Sequence, residues 1–99
     1  NEELIRNKPA TFFMRVNSNA MIGAGIHAGD VVIVDRSLEA KNGKVIIAVL
    51  NGEMLIRRLE IAENKKRLLP ATKILSPIEI CEANSFSVWG VVTYVIHSL

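Results

Sequence analysis

The sequence predicts a mostly β domain, built of curved antiparallel sheets around a β-hairpin and carrying very little helix. Three observations predict it. Two β-rich runs, "KVIIAVL" and "EMLIRRLEI", flank Asn51-Gly52, the dipeptide that best tolerates the positive φ angles of a type I′ turn. Short runs rich in β-branched and aromatic residues recur along the rest of the chain. Helical patterning is almost absent, with only "EELIRN" (2–7) and a turn at 20–24 as candidates. The 99 residues read as one domain (1–99), with residues 1–8 as a flexible arm. A chain of this length buries roughly 60–70% of its unfolded surface, enough for one core without staples. At 49% hydrophobic and 22% charged, the composition lies outside the disordered range.

Taken in order, "TFFMRV" (11–16) follows Pro9, which favours an extended start, and reads as the first strand. "DVVIVD" (30–35), entered through Gly29-Asp30, reads as a buried strand. The hairpin spans 44–50 and 53–61. Strand alternation on its second arm sets Leu55, Arg57 and Leu59 on one face and Met54, Ile56 and Arg58 on the other. Each face thus carries one arginine among apolar neighbours, so one arginine should point somewhere specific or lie at the rim. "KRLLPAT" (66–72) and "PIEICEA" (77–83) read as two further strands, with Pro70 and Pro77 confined to starts or edges. The last run, "FSVWGVVTYVIHS" (86–98), is the longest, and Gly90 marks a bend or bulge within it.

A formal net charge of +2 gives no argument for nucleic acid, and Lys65-Lys66-Arg67 reads as a solvated turn or strand end. The lone Cys81 allows no internal disulfide and points to a reducing cytosol; beside Ile78 and Ile80 it reads as a small core residue. Apolar runs of about six residues fall far short of the roughly 20 that span a bilayer, and no signal peptide is evident. The chain opens on "NEELIRN" without methionine, which suggests a fragment or a processed product. No cofactor or metal site is expected; His27 reads as a solvent-exposed loop residue and His97 as a surface or interface residue.

The stretch "SNAMIGAGIHAGDVVIVD" (18–35) carries the strongest functional signal. Ala20-Met21 precedes Gly23, Gly25, Gly29 and Asp30 at fixed spacing, then Val34-Asp35. With the hairpin ending in "LIRRL" and the terminal "VWGVVTYVI", this resembles the LexA/UmuD family of Ser-Lys self-cleaving domains, and the UmuD branch most. The likeness runs from about Pro9 to Ile96. In that family a serine directly before the loop methionine attacks the chain's own cleavage site, and a lysine on the second hairpin arm takes its proton. Those positions fall on Ala20 and Arg57.

The resemblance therefore implies a dyad with both members substituted. Alanine has no atom that attacks a carbonyl, and arginine keeps its proton at physiological pH and cannot serve as base. Loss of the nucleophile alone costs about 10⁶ in kcat in a comparable hydrolase. Ser18 lies out of register, Ser37 and Ser76 have no motif around them, and no substitute dyad is expected. A naturally degenerate peptidase explains both changes at once; an engineered inactive variant is the other explanation. The Ala-Gly pairs at 24–25 and 28–29 read as turn chemistry, which puts the family's cleavage segment before Asn1 and likens the chain to the already cleaved form.

What the resemblance implies about function is an accessory subunit: a cytoplasmic homodimer that joins a Y-family DNA polymerase, contacts the RecA filament and supports error-prone synthesis in the SOS response. The long C-terminal run, Val88 to Ile96, suits either a dimer edge or an interior strand. The alternatives are the C-terminal dimerisation domain of a LexA- or phage-type repressor, and an active self-peptidase represented by an inactive mutant. No sequence-specific DNA binding and no membrane association are expected of this domain.

Overall fold

A computed structural model describes residues 10–97. The helix expected over 2–7 and the arm expected over 1–8 lie outside the described residues. The Asn51-Gly52 turn forms as its chemistry requires, with φ of 50° and 83°. It joins β3 (Val45–Leu50) to β4 (Glu53–Ala62) in the register Leu50↔Glu53 through Val45↔Arg58. Before the hairpin come β1 (Thr11–Arg15) and β2 (Val31–Asp35); after it come β5 (Lys65–Leu69), β6 (Ile78–Ile80) and β7 (Phe86–Ile96). All seven join one antiparallel sheet in the order β1-β2-β7-β3-β4-β5-β6. Ile22–Ala24 form one short 3-10 turn, where the sequence suggested a turn at 20–24.

The second hairpin was not evident from composition. Glu63 and Asn64 take φ of 52° and 64° between β4 and β5, a tight turn made without glycine. Asparagine tolerates this region through its short polar side chain, whereas glutamate accepts a cost of about 1–2 kcal/mol. Further on, "KRLLPAT" is strand only as far as Leu69, and "PIEICEA" only over Ile78–Ile80.

Cys81 is exposed, not a core residue. It sits just past three-residue β6, in a turn where its N–H donates to Asn84 Oδ1 at 2.8 Å and its Sγ lies 3.1 Å from the same oxygen. Lys65 and Lys66 are solvated, as expected, and Arg67 pairs with Glu60 at 2.6 Å.

β7 lies between β2 and β3 in the sheet order, but each neighbour covers only half of it: Val91–Ile96 pair with β2 and Phe86–Val91 with β3, so among the described residues each half has one unpaired flank. Two residues are extra in its ladders, Thr93 against β2 and Trp89 against β3, and both are bulges that bend the sheet. The second adjoins Gly90, where the sequence placed a bend. Arg36 braces this bulge: its Nε donates to the Trp89 carbonyl at 2.8 Å and its guanidinium lies 4.4 Å from the indole centroid.

Curvature and alternation divide the interior into two clusters. One gathers Val16, Met21, Ile26, Val32, Val34, Ile47 and Ile56; the other gathers Ile46, Ala48, Leu59, Leu68 and Val91. Adjacent β3 residues Ile46 and Ile47 feed different clusters, as do Ile56 and Leu59 of β4, in line with the expected alternation.

Candidate functional site

A cleft of about 670 Å³ opens beside the first half of β4. β5 pairs with β4 only from Arg58 onward, so residues 53–57 have β3 on one flank and no strand on the other. The loop around Ala20 and the 72–75 segment wall off that unpaired flank. Ala20 and Arg57, 37 residues apart, both line the cleft, together with Ser18, Asn19, Ile22, Glu53, Met54, Thr72, Ile74 and Leu75.

Met21 anchors the loop. It is 1% exposed and packs into the first core cluster, which is worth roughly 1.5–3 kcal/mol for a side chain of this size. Its carbonyl accepts the N–H groups of Ala24 (3.0 Å) and Ile26 (3.2 Å), which closes the turn. With Met21 turned inward, Ala20 is held at the cleft wall, itself buried, and its N–H donates to Ser18 Oγ at 3.2 Å. A pair of backbone bonds then clamps the loop to the segment after β5: Ala71 N–H to the Ala20 carbonyl and Gly23 N–H to the Ala71 carbonyl, both 2.7 Å.

The glycines of the loop act for different reasons. Gly25 and Gly29 take φ of 83° and 95°, the left-handed conformation expected of turn glycines. Gly23 does not. A Cβ there would lie 2.6 Å from the Ala71 carbonyl oxygen, so glycine is required by close approach of two backbones. Asp30 is buried at the foot of the loop, and its Oδ2 accepts the His27 N–H at 2.8 Å. That bond, more than any other influence, holds its carboxyl below the usual carboxylate range.

Arg57 is half-buried. Its Nη1 donates to its neighbour's carbonyl, Ile56 O, at 2.8 Å, while its Nε is buried with no hydrogen-bond partner among the described residues. Desolvation pushes the guanidinium below its ordinary value, and the nearby Glu53 carboxylate pulls the other way. Arg58 takes the rim position that alternation leaves for the other arginine, donating to the Gly43 carbonyl at 2.6 Å. Of the described residues lining the cleft, only Glu53 and Arg57 are titratable. A methyl group and a guanidinium cannot carry out nucleophilic attack with base assistance. Ser18 does reach the cleft, but no histidine or lysine accompanies it there.

The far wall has no motif in the sequence: the strand expected over 66–72 takes in Thr72 but stops short of Ile74 and Leu75, an exposed apolar pair between two prolines. His27 and His97 lie on the surface as expected, about half exposed.

Comparison with known proteins agrees with this geometry. A match to the Peptidase S24-like family runs over residues 1–93. The chain is 37% identical to protein MucA of Salmonella typhimurium over 94% of its own length and 64% of the relative's. It is 34% identical to protein ImpA of the same organism, over 98% of this chain and 66% of ImpA. It is 38% identical to LexA repressor 1 of Xanthomonas campestris pv. campestris, over 81% of this chain and 40% of that protein. The chain thus spans about two-thirds or less of each relative's length. Its glycine loop, its hairpin and both bulge positions of the central strand lie within the matched stretch, and on these grounds the chain belongs to the Peptidase S24-like family, among UmuD-like and LexA-like members.

Proposed function

We propose that this chain is a non-cleaving, UmuD-like accessory subunit that joins a Y-family DNA polymerase as a cytoplasmic homodimer and supports error-prone synthesis in the SOS response. One observation carries the reading: Ala20 and Arg57, which take the nucleophile and base positions by resemblance, line the same cleft. The cleft forms although neither side chain can perform the chemistry, which leaves a folded surface for partners. Loop clamp, methionine anchor and unpaired β4 flank suit an extended segment bound by strand addition. No helix among the described residues is long and apolar enough to cross a membrane.

An exposed apolar row supports the dimer. Phe13, Ile33 and Tyr94 are cross-strand neighbours on β1, β2 and β7, with Phe13 and Tyr94 66% and 70% exposed. The Val31↔Ile96 pair extends the row, and the same half of β7 pairs with β2 alone, so it offers an apolar face beside an unpaired flank.

The likeness to LexA repressor 1 favours a second reading, the dimerisation domain of a repressor that cannot be induced by self-cleavage. Two measurements decide. A tagged full-length protein retains its neighbouring Y-family polymerase under the first reading; operator DNA binding without polymerase retention establishes the second. Restoring Ala20→Ser together with Arg57→Lys, with the upstream segment present, yields self-cleavage at alkaline pH if only the dyad has been lost. An inert double revertant means that the pocket has diverged further.

A further inference from the structure

We infer that His27, Asp30 and His97 form a binding site for a divalent first-row transition-metal cation of the Zn(II) class, which cross-links the glycine loop to the end of β7. The three offer one ligand atom each, all within 4.8 Å of one another. His97 Nδ1 lies 2.8 Å from Asp30 Oδ2, and His27 Nδ1 lies 3.6 Å from the same oxygen. Around a tetrahedral metal with bonds of about 2.0–2.2 Å, adjacent donors sit roughly 3.3–3.6 Å apart. The His27–Asp30 separation meets that range, the His97–Asp30 separation is about 0.5 Å short of it, and the remaining pair lies within 4.8 Å, so rotation of the two exposed imidazoles is what admits a cation.

The convergence follows from topology, not from sequence proximity. Val31↔Ile96 is the last pair of the β2–β7 ladder, which sets the preceding Asp30 beside the following His97. His27 is brought in separately, by the turn in which Asp30 N–H donates to the His27 carbonyl at 3.0 Å and His27 N–H donates to Asp30 Oδ2 at 2.8 Å. The carboxylate is thus buried and fixed, while both imidazoles are about half exposed, 5.9 Å apart between centroids, and accessible to an arriving ion. Arg15, on the neighbouring strand, donates its Nη1 to the Gly29 carbonyl at 2.8 Å.

Two imidazoles and one carboxylate suit zinc, copper, nickel or cobalt; calcium and magnesium prefer all-oxygen sets. Three protein ligands leave at least one position for water. Because two ligands belong to the loop that follows Met21 and the third to the end of β7, the bound ion would restrain the loop that walls the cleft.

The test uses Zn(II) itself, titrated calorimetrically into the protein in a Cys81→Ser background, since the exposed thiol is a competing ligand. One equivalent binds, and His27→Gln or His97→Gln weakens binding at least about 10-fold, as loss of a ligand does. Zinc raises the melting temperature of the parent by several degrees but not that of the double His→Gln variant. As a readout independent of any variant's folding, imidazole ¹⁵N spectra of the parent show the Nδ1 resonances of both histidines shifting together on zinc addition. No binding up to about 1 mM, affinity unchanged in the double variant, or spectra in which neither histidine responds overturns the assignment.

Discussion

Gly23→Ala tests the clamp that holds the cleft loop. A methyl carbon at position 23 would sit 2.6 Å from the Ala71 carbonyl oxygen and 3.4 Å from its carbon, whereas ordinary contact begins near 3.4 Å. The obstacle is backbone on both sides, so no side chain can swing away. The segment after β5 must retreat, and the 2.7 Å bond from Gly23 N–H to that same oxygen breaks with it; the partner bond from Ala71 to Ala20 weakens. One or two hydrogen bonds at about 1 kcal/mol each, with about 1–3 kcal/mol of overpacking, give a loss of about 2–5 kcal/mol. Urea unfolding at constant m measures it, and the melting temperature should fall by at least about 8 °C. Gly25 supplies the control: its φ is +83° with nothing within 4 Å of a Cβ, so Gly25→Ala costs only the left-handed penalty, about 1–2 kcal/mol. Asparagine, which tolerates that conformation, should recover part of the loss at 25 and none at 23. A Gly23→Ala protein within about 0.5 kcal/mol of the parent refutes the clamp as described.

Three further outcomes are expected. Arg57→Met removes a buried Nε with no partner and should leave the fold as stable or up to about 2 kcal/mol more stable, whereas Arg57→Ala should not gain; denaturant midpoints decide. Asp35 accepts both the hydroxyl and the N–H of Ser37, at 2.6 and 2.8 Å, which holds its carboxyl below the usual range. Its contribution is therefore present above the ordinary carboxylate value, 3.8, and lost as pH falls through the lower folded value, so Asp35→Asn should show a shallower acid limb than the parent in stability-versus-pH curves. Phe13→Glu with Tyr94→Glu sets charge on the exposed row and should weaken any dimer at least about 10-fold by sedimentation equilibrium, with the monomer fold intact by circular dichroism, since both side chains are mostly solvent-exposed.

Much of the fold was legible because its signals are local. Asn51-Gly52 dictates a turn whatever surrounds it, and alternation along β4 separates Ile56 from Leu59 before any partner strand is known. The signals fail where short range is not decisive. Nothing in Glu63-Asn64 advertises a tight turn, and Cys81 reads as core only if β6 continues past Ile80. The apolar length of the last run was compatible with either edge or centre. Only its pairing with both β2 and β3 makes it central, and that pairing is between segments more than thirty residues apart.

The candidate site divides in the same way. The sequence by itself determined its chemistry: a methyl at position 20, a permanent cation at 57, a methionine to anchor the loop and glycines to turn it. It also determined the fold class, because period-two patterning and turn residues act within a few positions of one another. Tertiary structure alone decided that Ala20 and Arg57 share one cleft, that Gly23 is required by the approach of Ala71, and that His27 and His97 meet over Asp30. Each of these is a contact across a large loop, and its geometry is fixed only when the strands between have paired and the two cores have closed.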